Sequence, residues 1–340
     1  MPKRHHGRDE AIIDPRLPII DTHHHLFHRP NMRYLLDDFL ADADAGHNIV
    51  ASVYVETQAM TRADGPDWLK PLGEIEFANG MAAMSASGRY GTRRVAAGII
   101  GFCDLYKGER IGELLDRAQA VAPDRLRGVR QMSFTHPSPE LAKILAMRLP
   151  ENMLGAPSFL QAFGEVASRG LSFEATVFHS QLGEVAALAD AFPDTTIVLS
   201  HAGMAMGYGL DSDGMKALFA DWRARMTDLA KRPNVICKIG GLGMPFWGFG
   251  LETRSEPVGS PELAGIWSPY VMAAIEAFGP DRCMMESNFP LEGVACGYVP
   301  LWNAMKLITS DCSDAEKALL FHDVARRVYR LELAESTGGA

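Results

Sequence analysis

The sequence has no stretch of about 18 uninterrupted apolar residues, and its N-terminus has charged residues where a secretory signal has an apolar core. We therefore expect a soluble, cytoplasmic protein that does not contact a membrane. Basic residues are outnumbered, because 33 Lys and Arg stand against 42 Asp and Glu, a net charge of −9. This balance argues against a nucleic-acid partner, which needs a basic surface. We expect a small-molecule substrate as partner and leave a homo-oligomer open.

Cysteine is also scarce, with five residues among 340 and none in a CxxC pair. An odd number without paired spacing excludes a disulfide framework and a zinc ribbon, so we expect reduced thiols. The sequence also lacks a GxSxG nucleophile elbow, a Walker A loop and an HExxH helix. These absences exclude the common serine hydrolases, P-loop nucleotidases and zincin peptidases.

What the sequence does contain is an alternation of short apolar segments with amphipathic ones. Segments that are apolar on both faces predict strands of a buried parallel sheet. The predicted strands cover residues 17–22, 49–55, 94–102, 126–132, 172–178, 195–200, 234–239 and 282–287. Eight strands with helices between them predict a closed (β/α)8 TIM barrel, an α/β fold. The alternative, an open doubly wound sheet, usually has fewer strands and a Gly-rich first turn, which is missing here.

The barrel is expected to be one catalytic domain over residues 17–332. It lies between a flexible N-terminal segment (1–16) and a flexible tail (333–340), and apolar periodicity over 320–331 predicts an extra C-terminal helix. The segments after several strands are long, as the βα loops that form a barrel's active site often are. The segment 241–268 is rich in Gly, Pro and aromatics, and we expect a lid or pocket wall from which Trp247 contacts the substrate.

The first predicted strand ends in the sequence IIDTHHHLFH. Side chains alternate along a strand, so His23 and His25 are predicted to face one side and His24 the other. Two imidazoles on one face at the mouth of a barrel can bind a divalent metal or an oxyanion.

Two further histidines end predicted strands, His179 in SFEATVFH and His201 in TTIVLSH. Either one alone is equally well explained as a structural histidine. Together with His23 and His25, they predict four imidazoles that converge on one barrel mouth.

These segments resemble the amidohydrolase-2 branch of the amidohydrolase superfamily, TIM barrels that include 2-pyrone-4,6-dicarboxylate lactonase and sugar-acid lactonases. The resemblance spans residues 17–332 and depends on DTHHH, LRGVRQ, IVLSHAG, NVICKIGGLG and RCMMESNFP. It implies that His23 and His25 form the HxH pair of the family. His201 matches the histidine after strand six, and His179 occupies a strand-five position where many members have another. If a metal is bound, the resemblance implies these four histidines as its ligands.

The last motif departs from the family at residue 288. Members typically have Asp there, the base that activates water, whereas this chain has Asn288 in MESNFP. An amide is not a base at neutral pH, although it can position a water or donate a hydrogen bond to an oxyanion. We therefore expect no obligatory metal and leave a single divalent ion, zinc or manganese, as the alternative.

Two carboxylates and one arginine complete the predicted site. Glu286 lies two residues before Asn288 on the same face, and Glu56 ends the second strand. Each carboxylate is equally well explained as a buried partner of a histidine or of Lys238, and our hypothesis is that Glu286 orients or relays to the histidines. The resemblance favours Arg130 as the anchor of a substrate carboxylate, with a structural ion pair as the alternative.

The predicted function is hydrolysis of a lactone or similar cyclic ester of a small carboxylated or aromatic-derived compound. His23, His25 and His201 would polarise the carbonyl, Asn288 would hold the water, and Glu56, His179 and Trp247 would contact the substrate. The first alternative is a lyase of the same superfamily, a decarboxylase or hydratase, for which loss of the Asp matters less. The second is a catalytically silent barrel that binds a small molecule.

Overall fold

The computed structural model describes residues 9–30, 32–145 and 149–333. Eight parallel strands form a sheet in the order β1-β4-β5-β6-β7-β8-β9-β10, and β2 and β3 form an antiparallel hairpin. The strands are β1 (Ile19–His24), β2 (Phe27–Arg29), β3 (Met32–Tyr34), β4 (Ile49–Val55), β5 (Arg94–Phe102), β6 (Leu126–Met132), β7 (Ser172–Thr176), β8 (Ile197–Leu199), β9 (Val235–Ile239) and β10 (Cys283–Met285).

Helices connect the sheet strands and cover the outside of the barrel. They are α1 (Leu36–Ala43), α2 (Leu72–Ala86), α3 (Ile111–Val121), α4 (Leu141–Ile144), α5 (Pro157–Ser168), α6 (Leu182–Ala191), α7 (Ser212–Leu229), α8 (Ser260–Phe278), α9 (Tyr298–Ile308), α10 (Asp314–Ala318) and α11 (Val324–Val328). A π-helical turn, Leu319–Asp323, joins α10 to α11.

The first and last strands meet just beyond their carboxyl ends. The backbone N–H of His25 donates to the carbonyl of Phe289 at 2.8 Å, and that of Asn288 donates to the carbonyl of His23, also at 2.8 Å. His24 and Phe289 form a parallel bridge at the same place. The eight parallel strands and their helices are therefore a (β/α)8 TIM barrel, which confirms the predicted fold.

The predicted strands all correspond to strands of the sheet. The second, third and fourth have the predicted bounds, whereas the last four are shorter by up to three residues. As a group, the last four lose residues at both ends, and the first is shifted by two residues, from the predicted 17–22 to Ile19–His24. The hairpin of β2 and β3 was not predicted from the segment 26–36.

Apolar side chains fill the interior of the barrel at the amino ends of its strands. Ile20, Val53 and Met284 form one buried cluster with Tyr329 and Leu331 from the C-terminal segment. The helix predicted after the last strand is present as α10, the π-helical turn and α11. It closes the end of the barrel opposite the histidines.

The ends of the chain lie partly outside the described residues. This applies to residues 1–8 and 334–340 of the expected flexible segments, and the domain boundaries stay a prediction. Within the described part, the Ile13 N–H donates to Asn303 Oδ1 at 2.9 Å, and the Lys306 ammonium donates to the Ile13 carbonyl at 2.9 Å.

In the described part of the chain, no helix is long and apolar enough to cross a membrane.

Candidate active site

His23 and His25 both point into the mouth of the barrel, and His24 points away from it. The register of β1 against β4 shifts between Asp21 and His24, which places the pair above the apolar interior. The two Nε2 atoms of His23 and His25 lie 3.3 Å apart. His24 packs instead against Phe39, with ring centroids 4.2 Å apart. The alternation predicted from DTHHH is therefore present in the structure.

Burial disfavours the charged form of both inward histidines. They are buried, and this burial holds the pKa of each well below its ordinary value. His25 Nδ1 lies 2.8 Å from the carbonyl oxygen of Val55. Because a carbonyl only accepts hydrogen bonds, Nδ1 carries the proton and Nε2 of His25 presents a lone pair.

Glu286 joins His201 to His23. Its Oε1 lies 2.5 Å from His201 Nδ1, and its Oε2 lies 2.9 Å from His23 Nδ1. All three side chains are buried. The carboxylate accepts the Nδ1 proton of His201, which leaves Nε2 of that ring free to take a proton. Glu286, which the sequence analysis connected to the histidines, therefore contacts two of them.

Two glycines after β9 make room for this group. A Cβ on Gly240 would lie 2.4 Å from Glu286 Cγ, and one on Gly241 would lie 2.6 Å from His201 Nδ1. Gly241 also has φ of +63°, which favours glycine. The NVICKIGGLG motif thus lets the backbone approach the His201 and Glu286 side chains closely.

Arg130 is held by Glu56 at the side of the site. Its Nε donates to Glu56 Oε1 at 2.8 Å, and its Nη2 donates to the Glu56 carbonyl at 2.6 Å. Its Nη1 lies 3.3 Å from His23 Nε2. Burial raises the pKa of the Glu56 carboxyl even though Arg130 opposes that shift. Arg130 therefore forms the structural ion pair that was the alternative to a substrate anchor. Its Nη1 still faces the site.

Asn288 lies beside these groups in a left-handed backbone conformation, with φ of +54°. Its Nδ2 donates to Glu292 Oε2 at 3.4 Å, and Glu292 Oε1 accepts the N–H of Gly243. Burial raises the pKa of the Glu292 carboxyl to about 8. Asn288 Oδ1 is buried and has no hydrogen-bond partner among the described residues, so it can accept from a water or a substrate.

The DTHHH and RCMMESNFP motifs also hold the barrel closed. Asp21 of DTHHH accepts from the Ser287 hydroxyl at 2.6 Å, from the Ser287 N–H at 3.0 Å and from the Tyr298 hydroxyl at 3.0 Å. Burial raises the pKa of the Asp21 carboxyl to about 6. Asp21 and Ser287 thereby fix the relative position of the histidine pair and Asn288.

A cavity of about 430 Å³ opens above these groups, a size typical of small-molecule sites. Its polar lining includes His25, Glu56, Arg130, His201 and Asn288. The loop after β9 contributes Met244, Pro245 and Phe246 to its wall. The segment 241–268 was expected to form a lid or pocket wall, and its first part is a wall of this cavity.

The structure does not bring His179 to this cavity. Its Nε2 lies 3.6 Å from Asp221 of α7, and its ring lies beside that of His136. The expected convergence of four histidines is corrected to three, because β7 ends at Thr176 and the chain turns outward before His179.

Trp247 is likewise displaced from its expected place. It is fully buried, donates to the Gly241 carbonyl at 2.9 Å and packs among Trp222, Phe249 and Tyr270. The expected substrate contact is therefore corrected, because Trp247 supports the loop from behind while Phe246 faces the cavity.

Sequence reasoning missed three charged residues near the cavity, and one of them, Glu252, lines it from the segment 241–268. Arg29 is an exposed residue of β2 that lines it, and the Arg29 guanidinium donates to the Thr57 carbonyl. Only the unpredicted hairpin places this residue at the mouth. Glu292 follows the MESNFP motif by two residues and looks like a surface residue, although it is fully buried.

The donor set fits a divalent metal. Ligand atoms of His23, His201 and Glu286 all lie within 4.8 Å of one another. His23 Nδ1 and Glu286 Oε2 are buried, and despite their short separation neither makes an aligned hydrogen bond. Imidazoles and a carboxylate are ligands that zinc uses, and a neutral imidazole such as His23 binds metal without first losing a proton.

Comparisons with known proteins agree with this architecture. The chain is 35% identical over 338 residues to the protein y4mH of Sinorhizobium fredii, covering 95% of this chain and 99% of that protein, which is described as uncharacterized. It is 28% identical over 325 residues to an L-fucono-1,5-lactonase of Burkholderia multivorans, covering 92% and 96%. A crystal structure of a Burkholderia multivorans amidohydrolase with bound zinc shares the fold, with a TM-score of 0.69, 24% identity and coverage of 92% and 99%.

The family model of the amidohydrolases matches residues 20–331, which include every strand of the barrel except the first residue of β1. The match confirms the resemblance drawn from the five sequence motifs. The chain therefore belongs to the amidohydrolase family.

Proposed function

We propose that this chain hydrolyses a lactone or similar cyclic ester of a small carboxylated or aromatic-derived compound. The observation that carries the proposal is the contact of Glu286 with both His201 and His23 below the cavity. Such a carboxylate–imidazole pair can act as a general base on water. The lactonase activity named for the Burkholderia multivorans relative supports the same class of reaction.

In the proposed reaction, His201 Nε2 takes a proton from water while Asn288 Oδ1 accepts the other hydrogen of that water. The water oxygen forms a bond to the lactone carbonyl carbon. Arg130 Nη1 stabilises the negative charge that develops on the carbonyl oxygen. The acyl C–O bond of the ring then breaks, and the leaving ring oxygen receives the proton held by His201. The product is a hydroxy acid.

Each group's environment suits its proposed part. Glu286 stabilises the imidazolium of His201 while His201 holds the proton. Asn288 stands where other members of the family typically have an Asp, and it positions the water without taking a proton from it. Arg29 supplies a second guanidinium at the rim for a substrate carboxylate. If a divalent metal is bound, His23, His201 and Glu286 would hold it, and the metal would polarise the carbonyl and acidify the water in place of the base His201.

The experiment is a hydrolysis screen of γ- and δ-lactones that follows acid release, with a His201→Ala variant as control. We expect turnover by the wild type that falls at least about 100-fold in the variant, the range for loss of a general base. Absence of hydrolysis across the screen, together with turnover of another substrate class, would contradict the proposal.

Metal analysis of protein purified without chelator tests the fit of the donor set. About one zinc or manganese per chain in the wild type that is lost in His201→Ala would show that these residues bind the ion, and the metal would then replace His201 as the proposed activator of water. An equal metal content in the two proteins would show that these residues do not bind it.

A decarboxylase is the second candidate, and Asn288 is the observation that favours it. Releasing CO₂ from an aromatic acid does not require a base that activates water, so an amide at this position is compatible with that reaction. Aromatic acids incubated with the protein would release CO₂ and a decarboxylated arene if this candidate is right, and lactones would then remain unchanged.

A further inference from the structure

The cavity above the site has two chemically different parts. His25, Glu56, Arg130, His201 and Asn288 supply polar groups at its floor and one side. The remaining lining includes four polar residues, Arg29, Thr57, Thr176 and Glu252, but most of it is apolar, and six of its side chains are Met132, Phe134, Met204, Met244, Phe246 and Leu291. The groups proposed to react with the ester therefore lie together, and most of the remaining surface that the body of the substrate meets consists of thioethers and phenyl rings, with Arg29 at the rim.

The apolar wall is a packed surface. Phe178 lies behind it and contacts Phe134 and Phe246, with ring centroids 5.7 and 5.4 Å apart. Met204 and Met206 belong to the same buried cluster. The rings hold one another in place, while unbranched methionines adapt to ligands of different shape.

A ring with a hydroxyl on most carbons is a poor match for this wall. Its hydroxyls would lose hydrogen bonds to water without gaining partners from methionine or phenylalanine. An alkyl or aryl group, in contrast, would bury apolar surface against the same side chains.

We infer that the substrate of this site is a lactone with an alkyl or aryl substituent, which binds against Met132, Phe134, Met204 and Phe246. The inference rests on the proposed function and names its substrate class. By this inference the substrate of this chain differs from those of lactonases that act on hydroxylated sugars, because the apolar wall selects the substrate.

The test compares kcat/KM for δ-decalactone and dihydrocoumarin with that for D-glucono-1,5-lactone. We expect the alkyl and aryl lactones to be preferred by at least about 10-fold, the discrimination that a hydrophobic pocket achieves for a methylene or more. Phe246→Asn should lower kcat/KM for δ-decalactone at least about 10-fold and leave that for D-glucono-1,5-lactone within about 3-fold. Phe249→Asn is the matched control for a general disturbance of the loop. Phe249 lies on the same loop but stacks on Trp247 and is not among the residues that line the cavity.

Met132→Gln is a second variant that keeps the length of the side chain, in case Phe246→Asn does not fold. It should reduce the preference for δ-decalactone in the same direction. Equal or better hydrolysis of D-glucono-1,5-lactone by the wild type would overturn this inference and leave the proposed function intact.

If no lactone is hydrolysed, the proposed function fails and ligand binding decides the inference. Hydrocinnamate that raises the Tm of the wild type more than that of Met132→Gln would support an apolar ligand. A rise in Tm with gluconate and none with hydrocinnamate would overturn it.

Discussion

At the scale of single residues, the site depends on how each polar group is partnered. His25 Nδ1 faces the Val55 carbonyl and His201 Nδ1 faces Glu286, so backbone and carboxylate contacts set the tautomers of the two rings. Arg130 is already bonded to Glu56 through two of its nitrogens. Its remaining Nη1 is therefore the part of this guanidinium that can stabilise charge on a substrate.

Replacing Glu286 by Gln should lower kcat for a lactone substrate at least about 100-fold, because the amide no longer stabilises an imidazolium at His201. The measurement is steady-state hydrolysis, with circular dichroism to confirm the fold. Glu113→Gln, on the partly exposed face of α3, is the control and should not change kcat. Unchanged turnover by Glu286→Gln would show that Glu286 neither orients nor relays to the histidines.

Replacing Gly241 by Ala should displace His201, since the new methyl group would lie 2.6 Å from its Nδ1 and the residue has positive φ. We expect kcat/KM to fall at least about 10-fold and the free energy of unfolding to fall by about 1–3 kcal/mol. Gly183→Ala in α6 is the matched control, because a Cβ there meets nothing within 4 Å. Full activity of the Gly241 variant would contradict the close approach of backbone and imidazole.

At the scale of elements, the loop after β9 and the turn after β10 are joined through a buried carboxyl group. Glu292 contacts both Gly243 and Asn288, so it connects the cavity wall to the residue proposed to hold water. Its pKa of about 8 means that the folded protein keeps a proton there well above the ordinary value of 4.5.

This carboxyl should make stability depend on pH. Between about 4.5 and 8 the folded state binds a proton that the unfolded state has released, so the free energy of unfolding falls as pH rises through this window. Glu292→Gln removes the effect, and the stability of this variant relative to wild type should increase by about 2–4 kcal/mol from pH 5 to pH 8. Urea unfolding at both pH values measures it, and a constant difference would contradict the burial of a neutral Glu292.

At the scale of the whole molecule, the C-terminal segment is part of the barrel interior. Tyr329 donates its hydroxyl to Glu174 Oε1 at 2.7 Å, and Lys238 Nζ donates to the same carboxylate at 2.8 and 2.9 Å. These three side chains are fully buried and lie on β7, β9 and just after α11. The end of the chain is thereby bonded to the strands that carry the site.

Tyr329→Phe should lower the free energy of unfolding by about 1.5–3 kcal/mol, because it removes a buried hydrogen bond to a charged acceptor. Chemical denaturation measures this loss. Tyr106→Phe is the control, since Tyr106 is 37% exposed and its loss of a hydroxyl should leave stability nearly unchanged. Equal stabilities of the two variants would show that Tyr329 only fills volume.

The sequence alone determined the barrel and the inward-facing histidine pair. Both depend on local periodicity: apolar segments of strand length gave the eight strands, and the two-residue alternation of β1 predicted opposite directions for His23 and His24. Glu286 was also placed near the histidines, since it lies one alternation before Asn288 on the same face.

Tertiary structure decided which of these groups meet and which cavity they share. His179 turns outward after a short β7, Trp247 enters the core behind Phe246, and Arg29 reaches the mouth on a hairpin with no clear sequence signal. These outcomes depend on the paths of loops and on contacts between residues far apart in the chain, such as Arg130 with Glu56. Periodicity reports which face of a strand a side chain occupies, but the partner that balances its charge is set only when the barrel closes.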